Sequence, residues 1–173
     1  MENLLDIVNE QDEVIGRATA QEIHAKLLHH RVAAVFVFCG DKLLVQQRAR
    51  VKDGLLDHSV GGHVDAGEFY EKAAAREMQE EIGLEVSLQF VGRVPGADRR
   101  NHVLSLFEVE IDNVQFESLE IDMREMEELI PMTLEEVSQK MNENPAAFTD
   151  GFLSTFNFYV TKKGLSIPLV PRK

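Results

Sequence analysis

Three glutamates, Glu77, Glu80 and Glu81, stand at helical spacing in the segment EKAAAREMQEEIG, the densest concentration of chemistry-bearing side chains in this 173-residue chain. At about 100° per residue, positions i, i+3 and i+4 share a face, so the three carboxylates fall within an arc of about 100°. Ala74, Ala75, Met78 and Ile82 fall on another side, the one that should pack into a core. Like charges at this spacing cost a helix a few tenths of a kcal/mol, and a solvated acidic face would show the same clustering. The neighbouring residues separate the two readings. Gly61-Gly62 precede the helix in what reads as a Gly-rich turn, Ser59–Gly67, and Glu68 stands just after Gly67. Carboxylates oriented by a tight loop suit a hard cation, because Mg²⁺ takes oxygen ligands, keeps several waters and also holds substrate phosphates.

The elements that must position these groups follow from pattern. Good helix formers over Glu68–Ile82 predict a helix that ends at Gly83, a residue suited to a left-handed C-terminal cap. Before it, Arg31–Cys39, the turn Gly40-Asp41 and Lys42–Arg48 have the rhythm of a hairpin in the main sheet, with Ala49–His58 read as a surface loop. After it, Glu85–Val94 and His102–Ile111 alternate like antiparallel strands around the turn-rich Pro95–Asn101. Glu125–Met132 reads as a further strand. Thr133 and Glu136 form a helix-start signature leading into Val137–Asn142, and a last helix runs from about Thr149 to Lys162. Its aromatics, Phe152, Phe156, Phe158 and Tyr159, have core spacing. At the other end, Leu4–Val8 and Glu13–Arg17 predict a short hairpin, and Thr19 with Glu22 a capping box opening a helix to about His29.

Gly62, five residues, Glu68, seven residues and then Arg76-Glu77-Met78-Gln79-Glu80-Glu81-Ile82-Gly83-Leu84 match the Nudix box at every fixed position. Seven fixed identities at roughly 7% usage each would coincide by chance about 10⁻⁸ times per starting point, so the chain is identified by this resemblance as a member of the Nudix superfamily. The resemblance implies an α/β (α+β) fold, an α/β/α sandwich around a mixed sheet. The expected organisation is a single domain over residues 1–173, with residues 1–30 as a hairpin and helix extension and residues 62–84 as the box. It also implies a metal-dependent hydrolase that cleaves a diphosphate linkage, with Mg²⁺ or Mn²⁺ held by Glu77 and Glu81. Glu80 would be a further ligand or the water-activating group, and Gly62 would lend its backbone carbonyl. Glu68 and Arg76 would orient loop and helix, Arg through its planar fork.

The resemblance extends over roughly residues 5–137. Asp6-Ile7-Val8-Asn9-Glu10, Val14-Ile15-Gly16, Leu27-Leu28-His29-His30-Arg31, Gln46-Gln47-Arg48 and Ser59-Val60-Gly61-Gly62-His63 look like the isopentenyl diphosphate isomerase-like branch. The isomerases carry a catalytic cysteine where this chain has Gly61, and glycine offers no group for proton transfer at carbon. The single cysteine, Cys39, lies in a predicted core strand and reads as a small buried apolar residue. Hydrolysis is therefore expected over isomerisation. Because the carboxylate set is complete, it is also expected over a nucleotide sensor without turnover.

A formal charge of −12 and a pI near 4.9 disfavour a nucleic acid polymer as partner. They leave open a small-molecule diphosphate substrate bridged to the carboxylates by a divalent ion. An acidic N-terminus without a basic flank and the lack of any run near the roughly 18 residues of a span predict a cytoplasmic chain with no membrane partner. The aromatic last helix and the N-terminal hairpin are the surfaces a homodimer would use. Candidate phosphate contacts are Arg48, Lys52, Arg99 and Arg100, with His63 in the box loop as a substrate-facing candidate. Glu125 and Glu128 are candidates for a base outside the box. The six histidines show no compact zinc spacing.

Overall fold

The strand His30–Cys39 is the axis of the fold. Its alternating side chains separate the protein into two packed layers on either side of a mixed sheet. The computed structural model describes residues 4–95 and 101–170. Within these, the N-terminal hairpin pairs β1 (Leu4–Val8) with β2 (Val14–Thr19). Thr19 then caps α1 (Ala20–Lys26) in a reciprocal capping box with Glu22. The helix stops three residues before the predicted His29 because Leu27 turns left-handed, with φ 51°, and its N–H bonds back to the helix.

From there β3 (His30–Cys39) runs parallel to β8 (His102–Ile111) over ten register pairs and antiparallel to β6 (Val60–His63). The hairpin to β4 (Lys42–Arg48) is real but brief. Only Phe38–Leu43 and Cys39–Lys42 pair, after which β4 departs to join β5 (Leu56–Asp57) and β9 (Met126–Thr133). β7 (Gln89–Arg93) flanks β8 and is shorter than the predicted strand.

On one face of β3, Ala33, Val35 and Val37 pack with Ala73, Ala74, Met78 and Ile82 of α2 (Tyr70–Ile82). On the other, Ala34 and Phe36 pack with Val137 and Met141 of α4 (Leu134–Glu143) and with Phe152, Phe156 and Tyr159 of α5 (Asp150–Lys162). The aromatics of α5 are thus core, each buried phenyl contributing about 1.5–3 kcal/mol. The short elements that escaped the pattern include β5, within the predicted surface loop, β6, within the predicted turn, α3 (Asn113–Glu117), a five-residue helix capped by Asp112 and Gln115, and a 3₁₀ helix at Pro145–Ala147. Among the described residues no helix is long and apolar enough to cross a membrane.

Two details aim this frame at the acidic helix. Leu5 bridges Asp65, the Ala66 N–H donates to the Leu4 carbonyl at 2.8 Å, and the Gly67 N–H donates to buried Asp6 at 2.8 Å, so the N-terminal hairpin braces the loop entering α2. At the other end, Gly83 adopts φ 68° and closes α2. The last carbonyls there, of Glu81 and Ile82, accept the N–H groups of Asp122 and Glu120 at 2.8 and 3.0 Å, which fastens residues 120–125 beside the helix.

Candidate active site

Gly61 and Gly62 lie in strand β6, not in the turn their composition suggested; the turn comes later, at Asp65–Gly67. The strand position explains the glycine. A Cβ on Gly62 would overlap the carboxylate of Glu77, so a bare backbone is what lets α2 lay that carboxylate against the sheet.

The three helical carboxylates, level on a helical wheel, are graded in depth. Glu81 is 3% exposed, Glu77 is largely buried, and Glu80 keeps 58% of its side chain in solvent. Buried with them are Ala73 and Ala74, whereas Ala75, expected on the core side, faces outward. Burial pushes the Glu81 carboxyl up to about 8, with the nearby charges of Glu77 and Glu125 adding to the effect and Lys52 opposing it. Burial likewise raises Glu77 above the usual carboxylate range, against the pull of Arg76. Gln46, on β4, donates its amide N–H to Glu81 Oε2 at 2.9 Å and orients the deepest carboxylate.

Arg76 is the brace. Its guanidinium donates to both Glu68 oxygens at 3.2 and 3.0 Å, to the carbonyl of His63 at 2.9 Å, to Glu77 at 2.7 Å and to Glu80 at 3.4 Å. One planar fork therefore fixes β6, the loop and the helix together. Burial works against ionisation of Glu68, and the hydrogen bonds from Arg76 and from the Asp65 N–H outweigh it, holding Glu68 below its ordinary range.

Gln46, Arg76 and the three glutamates of α2 line a cleft of about 1430 Å³ between α2, the β4–β5 loop, the 122–125 segment and the start of α5. That exceeds the roughly 300–1,000 Å³ of small-ligand pockets, leaving room for an extended diphosphate and its waters. Glu125 lines the cleft in an ion pair with Lys52, whereas Glu128, also a candidate base, is exposed on β9 opposite Gln47 and away from the cleft lining. Arg48 reaches the cleft but is engaged by Asp53 at 2.7 Å and Asp57 at 3.1 Å, so its first role is to hold the β4–β5 loop. Asp57 also accepts from His58 and Thr149. Arg99 and Arg100 lie outside the described residues.

Sequence pattern does not mark Gln46, Asp57 or the Asp122–Arg124 pair as site residues, although all lie on the cleft, because their signal is the packing of distant strands. Cys39 is half-buried rather than core, its thiol donating to Asn113 at 3.3 Å. His63 turns its imidazole toward His24, Nε2 to Nε2 3.1 Å, and the histidines ungrouped by spacing converge in space: His24, His30, His63 and His102 form one cluster.

An all-oxygen donor set, two buried carboxylates of raised affinity for protons and a glycine cradle beside them fit a divalent cation. Comparison with known proteins agrees in kind. A profile of the NUDIX domain matches residues 28–152. The chain belongs to the NUDIX domain family. An uncharacterized Nudix hydrolase of Yersinia pestis is 32% identical over 170 residues, covering 91% of this chain and 86% of that one. The uncharacterized Nudix hydrolase YfcD of Escherichia coli strain K12 is 43% identical over 84 residues, so that this NUDIX chain spans 47% of its relative's length. Among solved structures, DR0079 of Deinococcus radiodurans superposes with a TM-score of 0.74 at 22% identity, covering 94% of this chain and 99% of that one. A Caenorhabditis elegans Ap4A hydrolase binary complex superposes at 0.55 and 18% identity, covering 75% and 98%. These two establish the shared NUDIX fold.

Proposed function

We propose that this NUDIX chain is a Mg²⁺-dependent pyrophosphohydrolase that cleaves the diphosphate linkage of a nucleoside diphosphate derivative or related small molecule. The observation that carries the reading is the buried Glu77 carboxylate laid against bare Gly62, with buried Glu81 one helical turn on and lining the same large cleft, under the Glu68–Arg76 brace. Glu77 and Glu81, with the Gly62 carbonyl, are the groups that would hold the ion, with Glu80 at the rim as a further ligand. Bound there, Mg²⁺ would neutralise non-bridging phosphate oxygens and acidify water.

The chain's own groups do the rest. Gln46 fixes the deep carboxylate, Arg76 keeps Glu77 from swinging away, and half-exposed Glu80 and the Lys52-paired Glu125 face the cleft as the acceptors for the proton of the attacking water. Lys52 and Arg124, at the same mouth, supply positive charge for the outer phosphate, and Phe148 and Leu153 offer an apolar wall to the other end of the substrate. Substrate contacts by His63, Arg99 and Arg100 belong to the same proposal, with Arg48 acting through the loop it holds.

Isomerisation of an isoprenoid diphosphate finds no support in the site. Gly61 carries no acid or base, and Cys39 ends β3 at Asn113, far along the strand from Ala34, the register partner of Gly61. The test is product analysis across nucleoside triphosphates, dinucleoside polyphosphates such as Ap4A, nucleotide sugars and isoprenoid diphosphates, with Mg²⁺ and with Mn²⁺. Hydrolytic products from one class support the reading. An isomerised diphosphate with no phosphate bond broken overturns it.

A further inference from the structure

The N-terminal hairpin lies before residue 28, where the NUDIX domain match begins, yet it holds the segment leading into α2 at three points. The Leu4 carbonyl accepts the Ala66 N–H at 2.8 Å, the Asp6 carboxylate accepts the Gly67 N–H at 2.8 Å, and the Asp12 carboxylate accepts the Tyr70 hydroxyl at 3.2 Å. Glu68, which receives the Arg76 fork, sits inside that span. The two hairpin carboxylates are withdrawn from solvent, Asp6 to 3% and Asp12 to 7% of the side chain. Guanidinium groups offset their burial. Asp6 Oδ1 accepts from Arg17 at 2.9 Å, and Asp12 accepts from Arg31 and Arg93 at 2.7 Å each.

From Gly67 an unbroken chain of contacts reaches the carboxylates of α2. Gly67 has φ 81°, and glycine by itself imposes no single conformation. The bond from its N–H to Asp6, together with the bond from the Glu68 N–H to the Asp65 carbonyl at 2.9 Å, selects this one and so sets the direction in which Glu68 leaves the turn. Glu68 then accepts from Arg76 at 3.2 and 3.0 Å, and the same guanidinium donates to Glu77 at 2.7 Å. A carboxylate on a backbone N–H makes a charge-assisted bond roughly twice as strong as a neutral one, which suits Asp6 to hold a residue that has no side chain of its own.

We infer that Asp6 is a positioning residue of the oxygen site on α2, with the Asp12–Tyr70 bond as a second tether. The hairpin fixes the loop that aims Glu68, and through Glu68 the Arg76 fork, at Glu77. The inference rests on the proposed metal role of Glu77 and Glu81, and it makes metal affinity depend on a side chain that touches neither the ion nor the substrate.

The test is Asp6→Asn in the full chain. The shape is kept, but an amide has one acceptor oxygen, and its NH₂ must face either the Gly67 N–H or the Arg17 guanidinium, both of them donors. Calorimetric titration with Mg²⁺ should show affinity lowered about 10-fold, the low end of the 10–100-fold cost of losing an outer support. Amide hydrogen exchange of the metal-free variant should speed up at residues 67–69. Arg17→Gln removes the other bond on the same carboxylate and leaves the one to Gly67, so it should keep wild-type Mg²⁺ affinity. Circular dichroism checks each fold, and should Asp6→Asn fail to fold, Tyr70→Phe, which removes the hydroxyl tether to Asp12, decides by the same titration. Unchanged Mg²⁺ affinity in the deciding variant, an equal loss in Arg17→Gln, or no Mg²⁺ binding by the wild-type chain overturns the inference. Weakened Mg²⁺ binding in Asp6→Asn, in a chain that hydrolyses no diphosphate, would refute the hydrolase reading and leave this inference standing.

Discussion

Replacing Glu81 with glutamine should stabilise the metal-free protein while destroying its activity. Glu81 is 3% exposed and its carboxyl is raised from 4.5 to about 8, by burial first and by Glu77 and Glu125 next. Each pH unit of that rise is worth about 1.4 kcal/mol, so at pH 8 and above the folded wild type carries a handicap of up to about 5 kcal/mol. The sign follows from linkage. A carboxyl whose folded value is raised favours folding in its protonated form, so stability is intact below pH 4.5 and is lost as pH climbs toward 8. Glutamine mimics the protonated form, and its carbonyl can still accept from Gln46.

Realising even about 2 kcal/mol of this would raise the melting temperature by roughly 4–8 °C in a chain of this size. The assay is thermal denaturation of both proteins from pH 4.5 to 9, in chelator and then in Mg²⁺. In chelator the variant should melt higher at pH 8 and the gap should close toward pH 4.5. In Mg²⁺ the order should shift back toward the wild type, which alone gains from binding. A variant that melts no higher than wild type in chelator at pH 8 would refute the reasoning that Glu81 is a buried, uncompensated charge waiting for a cation.

Gly62→Ala should fold, because the atoms nearest the new methyl all belong to the Glu77 carboxylate, the end of a side chain that can turn aside, yet lose most Mg²⁺ affinity; calorimetric titration reads this, and wild-type affinity would remove the cradle role. Arg76→Lys keeps the charge but not the fork that spans Glu68, His63 and Glu77, so metal affinity should fall about 10–100-fold, measured by Mg²⁺ dependence of turnover. Asp57→Ala should cost about 3 kcal/mol in denaturant unfolding, because it leaves buried His58 and Thr149 without their carboxylate partner and Arg48 with Asp53 alone at the cleft wall. The charge of Asp57, held near 2 against burial by His58, Arg48 and Thr149, adds stability that persists above pH 4 and disappears as pH falls through 2.

Local signals carry much of the architecture. The alternation of His102–Ile111 marks β8 to the residue, and Thr133 and Thr149 announce the helices they cap. The Nudix box spacing by itself singles out Glu68, Arg76, Glu77 and Glu81, and all four prove to be in contact or on one cleft. Helical geometry alone does not grade the glutamates by depth, because depth comes from β4 and the 120–125 segment lying over one side of the helix. Gly61-Gly62 read as a turn since glycine weakens strands, whereas here a strand needs the missing side chain for Glu77. The histidines are the largest gap. Positions 24, 30, 63 and 102 have no shared spacing; the register of β3 with β6 and β8 assembles three of them and the packing of α1 adds His24.

The central claim is that the carboxylates on α2 hold a divalent ion for hydrolysis of a diphosphate, and turnover of the best substrate in wild type and Glu81→Gln, with Mg²⁺ and with chelator, tests it most directly. Chelator should abolish product formation, and the variant in saturating Mg²⁺ should lose orders of magnitude in kcat. Turnover in Glu81→Gln equal to that of the wild type would contradict the assignment.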